Sequence, residues 1–270
     1  MRMMDLGALR IVQLHDGYGA IDGNRVFYPA TQDEWGEGTG ADPTGFMLNA
    51  YQPLLINEAG LHTLVDTGFG QTNPGRRRDM QDDLRSLGLA REDIRRVIIT
   101  HAHGDHIGGN TLLVDGKYLP AYPNAEYVVQ QSEIASLQEE GGPVWQQRFA
   151  PLQSSGQLHV VDGEVSLTQA ITLWPIAGHT AGQQAVCLQS EGAQAIFVGD
   201  LGLSIKSFAR PDWGPSWAWS READQANRRR IAEWAIETGA LVMLYHEPRT
   251  PWFRIRRATA GNGDYCTIPE

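Results

Sequence analysis

The sequence predicts a single α/β domain, and three observations support that fold class. Short apolar runs of strand length recur along most of the chain. Helical segments with recognisable starts and stops lie between them. Several of the apolar runs end on a polar residue in a turn, the arrangement that gathers a site along one sheet edge. A chain of 270 residues suits one large domain, and its 41% hydrophobic content is enough for a substantial core. No fixed-period repeat and no linker divides it, so residues 1–270 are read as one domain.

Taken in order, Leu9–Leu14 alternates in part and reads as a strand. Tyr28 to Thr44 is rich in Gly, Asp, Pro and Thr and has no period. A functional flap and a disordered surface loop both fit it. Phe46–Ile56 and Leu61–Val65 read as two strands of a hairpin joined by Asn57-Glu58-Ala59-Gly60. A helix is expected from Arg77 to Leu87, stopped by Gly88, before a buried strand Val97–Thr100. Tyr127–Val129 reads as a strand and Ser132–Leu137 as a helix. Further strands follow at Val160–Val161, Ile171–Trp174, Gln184–Leu188 and Ala195–Val198. The strongest helix runs from Arg221 to Thr238, with Ser220 as N-cap and Gly239 as its stop. The strand Leu241–Tyr245 comes next and ends on His246.

Composition narrows the partners. A formal charge of −10 argues against nucleic acid as the main one, although bound cations would offset part of it. The two cysteines, Cys187 and Cys266, make no disulfide framework, and Cys187 lies in an apolar run as a buried thiol would. The start carries no apolar segment with a cleavage site, and no stretch reaches the roughly 18 apolar residues of a membrane span. A cytoplasmic protein acting on a small molecule, away from membranes, is the expectation.

The chemistry is concentrated in His101-Ala102-His103-Gly104-Asp105-His106. Histidines at i and i+2 on extended backbone project to the same side, so His101 and His103 can bind one ion together. Gly104 permits a turn that brings Asp105 and His106 to a second ion. Imidazole with carboxylate suits zinc, iron, manganese or cobalt better than calcium. The absence of a nearby cysteine favours an open catalytic site over a closed structural zinc. His15, His62 and His159 carry no such pattern and are read as surface or satisfied core residues.

The run Thr100 to Gly109 resembles the metallo-β-lactamase superfamily, whose His-x-His-x-Asp-His signature it matches fully. The resemblance continues in the family's order through Leu64-Val65-Asp66-Thr67-Gly68, Gly178-His179-Thr180-Ala181-Gly182, Phe197-Val198-Gly199-Asp200 and Tyr245-His246. It implies the four-layer αβ/βα sandwich, two mixed sheets flanked by helices. It also implies two divalent ions, expected to be zinc, with iron, manganese or cobalt as other choices. By this resemblance His101, His103 and His179 bind the first ion, Asp105, His106 and His246 the second, and Asp200 bridges them. Asp66 would orient ligand histidines, although a turn-forming Asp fits it equally.

The reaction so implied is hydrolysis by a metal-bridging hydroxide, with Asp105 and Asp200 as catalytic groups. Asp200 and the missing leader argue against exported β-lactamases, and the short chain after His246 argues against a glutathione-binding extension. The chain looks most like the branch of N-acyl-homoserine lactonases and the related methyl parathion (organophosphate) hydrolases. An ester or lactone of a small, fairly apolar molecule is therefore expected, with a phosphotriester as the alternative and a persulfide dioxygenase or other redox member behind it. One position departs from the lactonases, since Leu203 stands where they carry a tyrosine three residues after the bridging aspartate. Trp213, Trp217 and Trp219, with Leu203 beside them, suit an apolar pocket wall or a homodimer contact equally. Trp252 and Phe253 are placed to join that wall.

Overall fold

The computed structural model describes residues 1–72, 79–259 and 264–270. Its framework is a pair of seven-stranded mixed sheets. The first has the order Arg2–Leu6, Leu9–Gln13, Leu54–Glu58, Leu61–Val65, Ile94–Ile98, Glu126–Gln130, Leu158–Val161. The second has the order Val165–Ser166, Ile171–Pro175, Gln184–Ser190, Ala193–Phe197, Leu241–Met243, Trp252–Arg257, Tyr265–Pro269. Each sheet mixes antiparallel hairpins with parallel pairs, such as Val65 opposite Ile98 and Phe197 opposite Met243.

Strands buried on both faces read as near-continuous apolar runs, and Gln184–Leu188, buried at every position, owes its pattern to this. Between the sheets, Val65, Ile98, Val186, Phe197 and Met243 share one core cluster. Outer clusters pack Tyr127, Phe149 and Leu152 on the first sheet and Ile231, Ala232 and Phe253 on the second. The α/β expectation holds, and the two sheets with their flanking helices form the layered sandwich.

The helix Arg221–Thr238 forms as its caps direct: Ser220 accepts the Ala223 amide through its side chain, and Gly239 is left-handed at φ 66. The helix expected from Arg77 is described from Met80 to Ser86, and residues 77–78 lie outside the described part of the chain. Two expectations are corrected. Phe46–Ile56 is not one strand, because Tyr51-Gln52-Pro53 interrupts it; Phe46–Ala50 pairs with Tyr18–Asp22, and Leu54–Glu58 joins the large sheet. The segment 28–44 is not a disordered loop. It contains a helical turn, Gln32–Trp35, and buries the Trp35 ring against Val26, Phe27, Met47, Leu203 and Trp213. Lys206 donates to the Trp35 and Glu37 carbonyls and Arg249 donates to Gly38 O at 2.8 Å, which pins the segment down.

The sites of Trp213, Trp252 and Phe253 are also corrected. Trp213 packs edge-on to Phe27 in that same cluster, while Trp252 and Phe253 are buried in a strand of the second sheet. None of the three shapes an open wall, because each indole or phenyl is covered by its own layer. Cys187 is buried as expected, and both cysteines are free. Among the described residues no helix is long and apolar enough to cross a membrane.

Candidate metal centre

The strand-end turns meet at one edge of the sandwich. Asp66 follows Leu61–Val65, the His101–His106 loop follows Ile94–Ile98, Asp200 follows Ala193–Phe197 and His246 follows Leu241–Met243. His179 arrives from the turn between Ile171–Pro175 and Gln184–Ser190. All seven expected ligand residues fall into two adjoining groups: His101, His103, His179 and Asp200, then Asp105, His106 and His246.

In the first group, His103 Nδ1 lies 3.0 Å from His101 Nε2 and 2.9 Å from His179 Nε2. Burial first, and the neighbouring imidazoles after it, lower the pKa of all three, that of His179 to about 4. They are neutral, the form in which imidazole ligates a metal. In the second group, His246 Nε2 lies 3.4 Å from Asp105 Oδ2 and His106 Nε2 lies 3.7 Å from it. Burial would lower His106 and His246 as well, but the carboxylates around them outweigh it and raise both.

Asp200 joins the groups. Its Oδ1 is 3.1 Å from His106 Nε2, its Oδ2 is 3.4 Å from His179 Nε2 and 3.8 Å from His101 Nε2, and His246 Nε2 lies 3.2 Å from both oxygens. Burial opposes its ionisation, but His246, His106 and His101 hold it well below the usual carboxylate range. The Asp200 Oδ1 and His106 Nε2 atoms are buried and make no hydrogen bond, close as they are. Ring nitrogens and carboxylate oxygens converging in a buried space, two of them without a hydrogen bond, are the donor set that divalent cations complete, so the residues present fit two metal ions.

Surrounding groups fix the ring orientations. Asp66, at φ 62, contacts His106 Nδ1 at 2.8 Å and accepts from the Thr100 amide at 2.8 Å and the Thr100 hydroxyl at 2.7 Å. It is the orienting carboxylate rather than a plain turn residue. His246 Nδ1 contacts Ala50 O at 2.9 Å, and the Tyr245 hydroxyl donates to Asp105 O at 2.6 Å. Each arrangement leaves the opposite ring nitrogen aimed into the cluster.

Sequence reasoning missed three contributors. Glu133, buried on the helix Gln131–Glu140, accepts from Ala102 N at 2.7 Å, the Thr180 hydroxyl at 2.6 Å and Gly182 N at 3.1 Å. It ties the loop of His101 and His103 to the loop of His179. Asn227 donates to Ala177 O at 2.7 Å, and the amides of Ser220 and Trp219 donate to Gly178 O and His179 O. Tyr51 stands with its ring edge-on to His246, 5.7 Å between centroids, and burial and the charges of Asp105 and Asp200 push its phenol up. An acid on the first turn of a helix and an aromatic before Pro53 are ordinary in sequence, so no local signal marked them.

Two open cavities adjoin the ligand loop. One of about 630 Å³ is lined by His103, Leu137, His179, Trp217 and Trp219, so two of the expected tryptophans do face the site. The other, of about 370 Å³, lies across Ala102 from it and is lined by Phe69, Gly104, Gly108, Val144 and Arg148. Leu203 instead lines a smaller space of about 80 Å³ on the His246 side of the cluster, shared with His246, Glu247, Gly38 and Thr39.

Fold and site together bring a His/Asp cluster able to hold divalent metals to one edge of the layered sandwich. The profile described as the metallo-beta-lactamase superfamily matches residues 53–257, and the chain belongs to that family. Among curated relatives, an atrochrysone carboxyl ACP thioesterase from Claviceps purpurea is 25% identical over 177 residues, covering 65% of this chain and 47% of that protein. The chain spans about half or less of the length of the curated relatives it matches first. Among solved structures, a probable metal-dependent hydrolase from Staphylococcus aureus superposes with a TM-score of 0.83 at 21% identity, covering 99% of both chains. The dizinc quorum-quenching lactonase AidC superposes with a TM-score of 0.79 at 23% identity, covering 100% of this chain and 97% of its own.

Proposed function

We propose that this chain is a dinuclear metal hydrolase that cleaves an ester or lactone of a small molecule. The observation that carries the reading is the Asp200 carboxylate, which meets both groups: Oδ1 faces His106, Oδ2 faces His101 and His179, and His246 lies 3.2 Å from each oxygen. His101, His103 and His179 would hold one ion, Asp105, His106 and His246 the second, with Asp200 shared between them. When bound, such ions activate water near neutral pH and polarise the carbonyl oxygen under attack. Zinc is the favoured metal, in keeping with the dizinc lactonase neighbour.

The chain's own residues then have separable tasks. Asp66 and Ala50 O set the tautomers of His106 and His246. Asp105, whose side chain is 21% exposed against 6% for Asp200, is the more accessible ligand carboxylate and can take up or pass on a proton at Oδ2. Trp217 and Trp219 offer the apolar wall on which an acyl or aryl group lies. Leu203 is 4% exposed and packed beside Trp213, so it brings no hydroxyl to the substrate.

Elemental analysis after metal-replete expression is expected to return close to two metal ions per chain, and one or none would refute the dinuclear assignment. A panel of lactones, aryl esters and phosphotriesters assayed with zinc, manganese or cobalt tests the substrate class. Turnover confined to phosphotriesters would replace the ester reading with the organophosphate one.

A further inference from the structure

Beside the ligand loop sits a cation with no acid to match it. Arg148 lies half-buried on the π-helical turn Trp145–Phe149 and lines the 370 Å³ cavity. Its Nη1 donates to the Thr111 hydroxyl at 2.8 Å, and its guanidinium lies 5.4 Å from the centre of the Tyr118 ring. Among the described residues no carboxylate forms an ion pair with it, and the remaining ones, 73–78 and 260–263, contain no Asp or Glu. Burial holds its pKa below the usual arginine value, with the Tyr118 phenol alone acting against that.

Guanidinium offers five donors in a planar fork that matches a carboxylate through two parallel bonds. A chain with 32 acidic residues against 22 basic ones has many ways to neutralise an internal arginine, and here it uses none. The same cavity is lined by Ala102 and Gly104, which alternate with the ligand residues His101, His103 and Asp105 along the loop. A Cβ added at Gly104 would meet nothing within 4 Å, so the backbone beside the metal cluster leaves this cavity clear.

We propose that the cavity takes an anionic end of the substrate, so that the compound hydrolysed is an ester or lactone carrying a carboxylate that pairs with Arg148. The apolar walls at Phe69 and Val144 seat the carbon chain between that carboxylate and the bond cleaved at the cluster. This inference rests on the hydrolase reading given above. A substrate with one charged and one apolar end also makes use of both cavities flanking Ala102.

The test compares mono-4-nitrophenyl glutarate with its methyl ester, which differ only in the free carboxylate. Both are assayed on the metal-loaded wild type, Arg148→Gln and Arg148→Lys. Wild type is expected to favour the acid by about tenfold in kcat/KM, mostly through KM, with Arg148→Gln bringing the ratio to about one and Arg148→Lys keeping part of it. A wild-type ratio near one, or a preference that survives Arg148→Gln, overturns the proposal. Calorimetric titration of glutarate onto the same proteins separates the two readings. If neither ester is cleaved and glutarate still binds wild type about tenfold more tightly than Arg148→Gln, the hydrolase assignment fails and the anion site stands. Equal binding by both proteins refutes the anion site, and thermal melts confirm that the variants fold.

Discussion

Glu133 accepts the backbone amide of Ala102 at 2.7 Å, and with its other oxygen the same carboxylate takes the Thr180 hydroxyl and the Gly182 amide. Two ligand-bearing loops, far apart in sequence, are thus hung on one buried acid. A Cβ at Gly182 would stand 2.1 Å from Glu133 N, so the contact also depends on glycine there.

Glu133→Ala is therefore expected to loosen the spacing of His101, His103 and His179. A group of this kind around a metal site typically accounts for about 10–100-fold in affinity, and a fall of that order is the expected outcome. Zinc titration against a competing chelator measures it, and unchanged affinity would show that the loops hold without their tie.

Asp66→Ala acts on the other half of the centre. His106 loses the acceptor that sets its tautomer, and Thr100 loses both of its bonds to the same carboxylate. The second ion is expected to weaken by about 10–100-fold while the three-histidine group keeps its own. Elemental analysis after dialysis is then expected to fall from near two ions toward one.

The tryptophans divide into two classes. Trp217→Ala and Trp219→Ala, at the cavity wall, are expected to raise KM for apolar substrates with metal content unchanged. Trp213→Ala instead opens a void beside Phe27 and Trp35 and is expected to cost about 3–5 kcal/mol of stability, read from a urea midpoint.

A buried ion pair underlies the His179 loop. Asp224 Oδ2 lies 2.6 Å from Arg228, both are wholly buried, and Gly178 and Gly214 pack directly on them. Asp224→Ala would strand the arginine, at an expected cost of about 3–5 kcal/mol. Burial outweighs the attraction of Arg228 and pushes the Asp224 carboxyl up from 3.8 to about 6. An acid whose pKa is raised by folding stabilises the protein most below its unfolded value. That contribution is lost as pH rises from about 4 through about 6. Denaturation midpoints of wild type, referenced to Asp224→Asn, are expected to decline across that window.

Removal of metal is expected to abolish hydrolysis and to lower the melting temperature, since the Asp200 and Asp105 charges lose their neutralising ions. Binding at a hundredfold excess over Kd stabilises a fold by about 2.7 kcal/mol, so melts recorded across a zinc titration are expected to rise with concentration. A melting temperature indifferent to zinc would count against the site.

What the sequence determined by itself was local. Three histidines and an aspartate within six residues carry their geometry in the backbone of one loop, and Ser220 and Gly239 end a helix through their own short-range bonds. The strands before Asp66, His101, Asp200 and His246 were legible because their last residues are buried together and form a short apolar run that needs no partner to be recognised. Where a local pattern was interrupted, the reading slipped, as at Tyr51-Gln52-Pro53.

Only the tertiary structure decided which groups support those ligands. Lys206 and Arg249 hold the carbonyls of Trp35, Glu37 and Gly38, so a segment without period became part of the packed body. Trp213 and Trp217, four positions apart, belong to one packed cluster, yet only Trp217 also reaches the cavity wall, a division set by neighbours distant in sequence. Glu133 and Arg148 look like ordinary surface charges in the chain. Their meaning comes from burial and from what stands opposite them, because the cost of a charge depends on its solvation and partners, which only the packed fold sets.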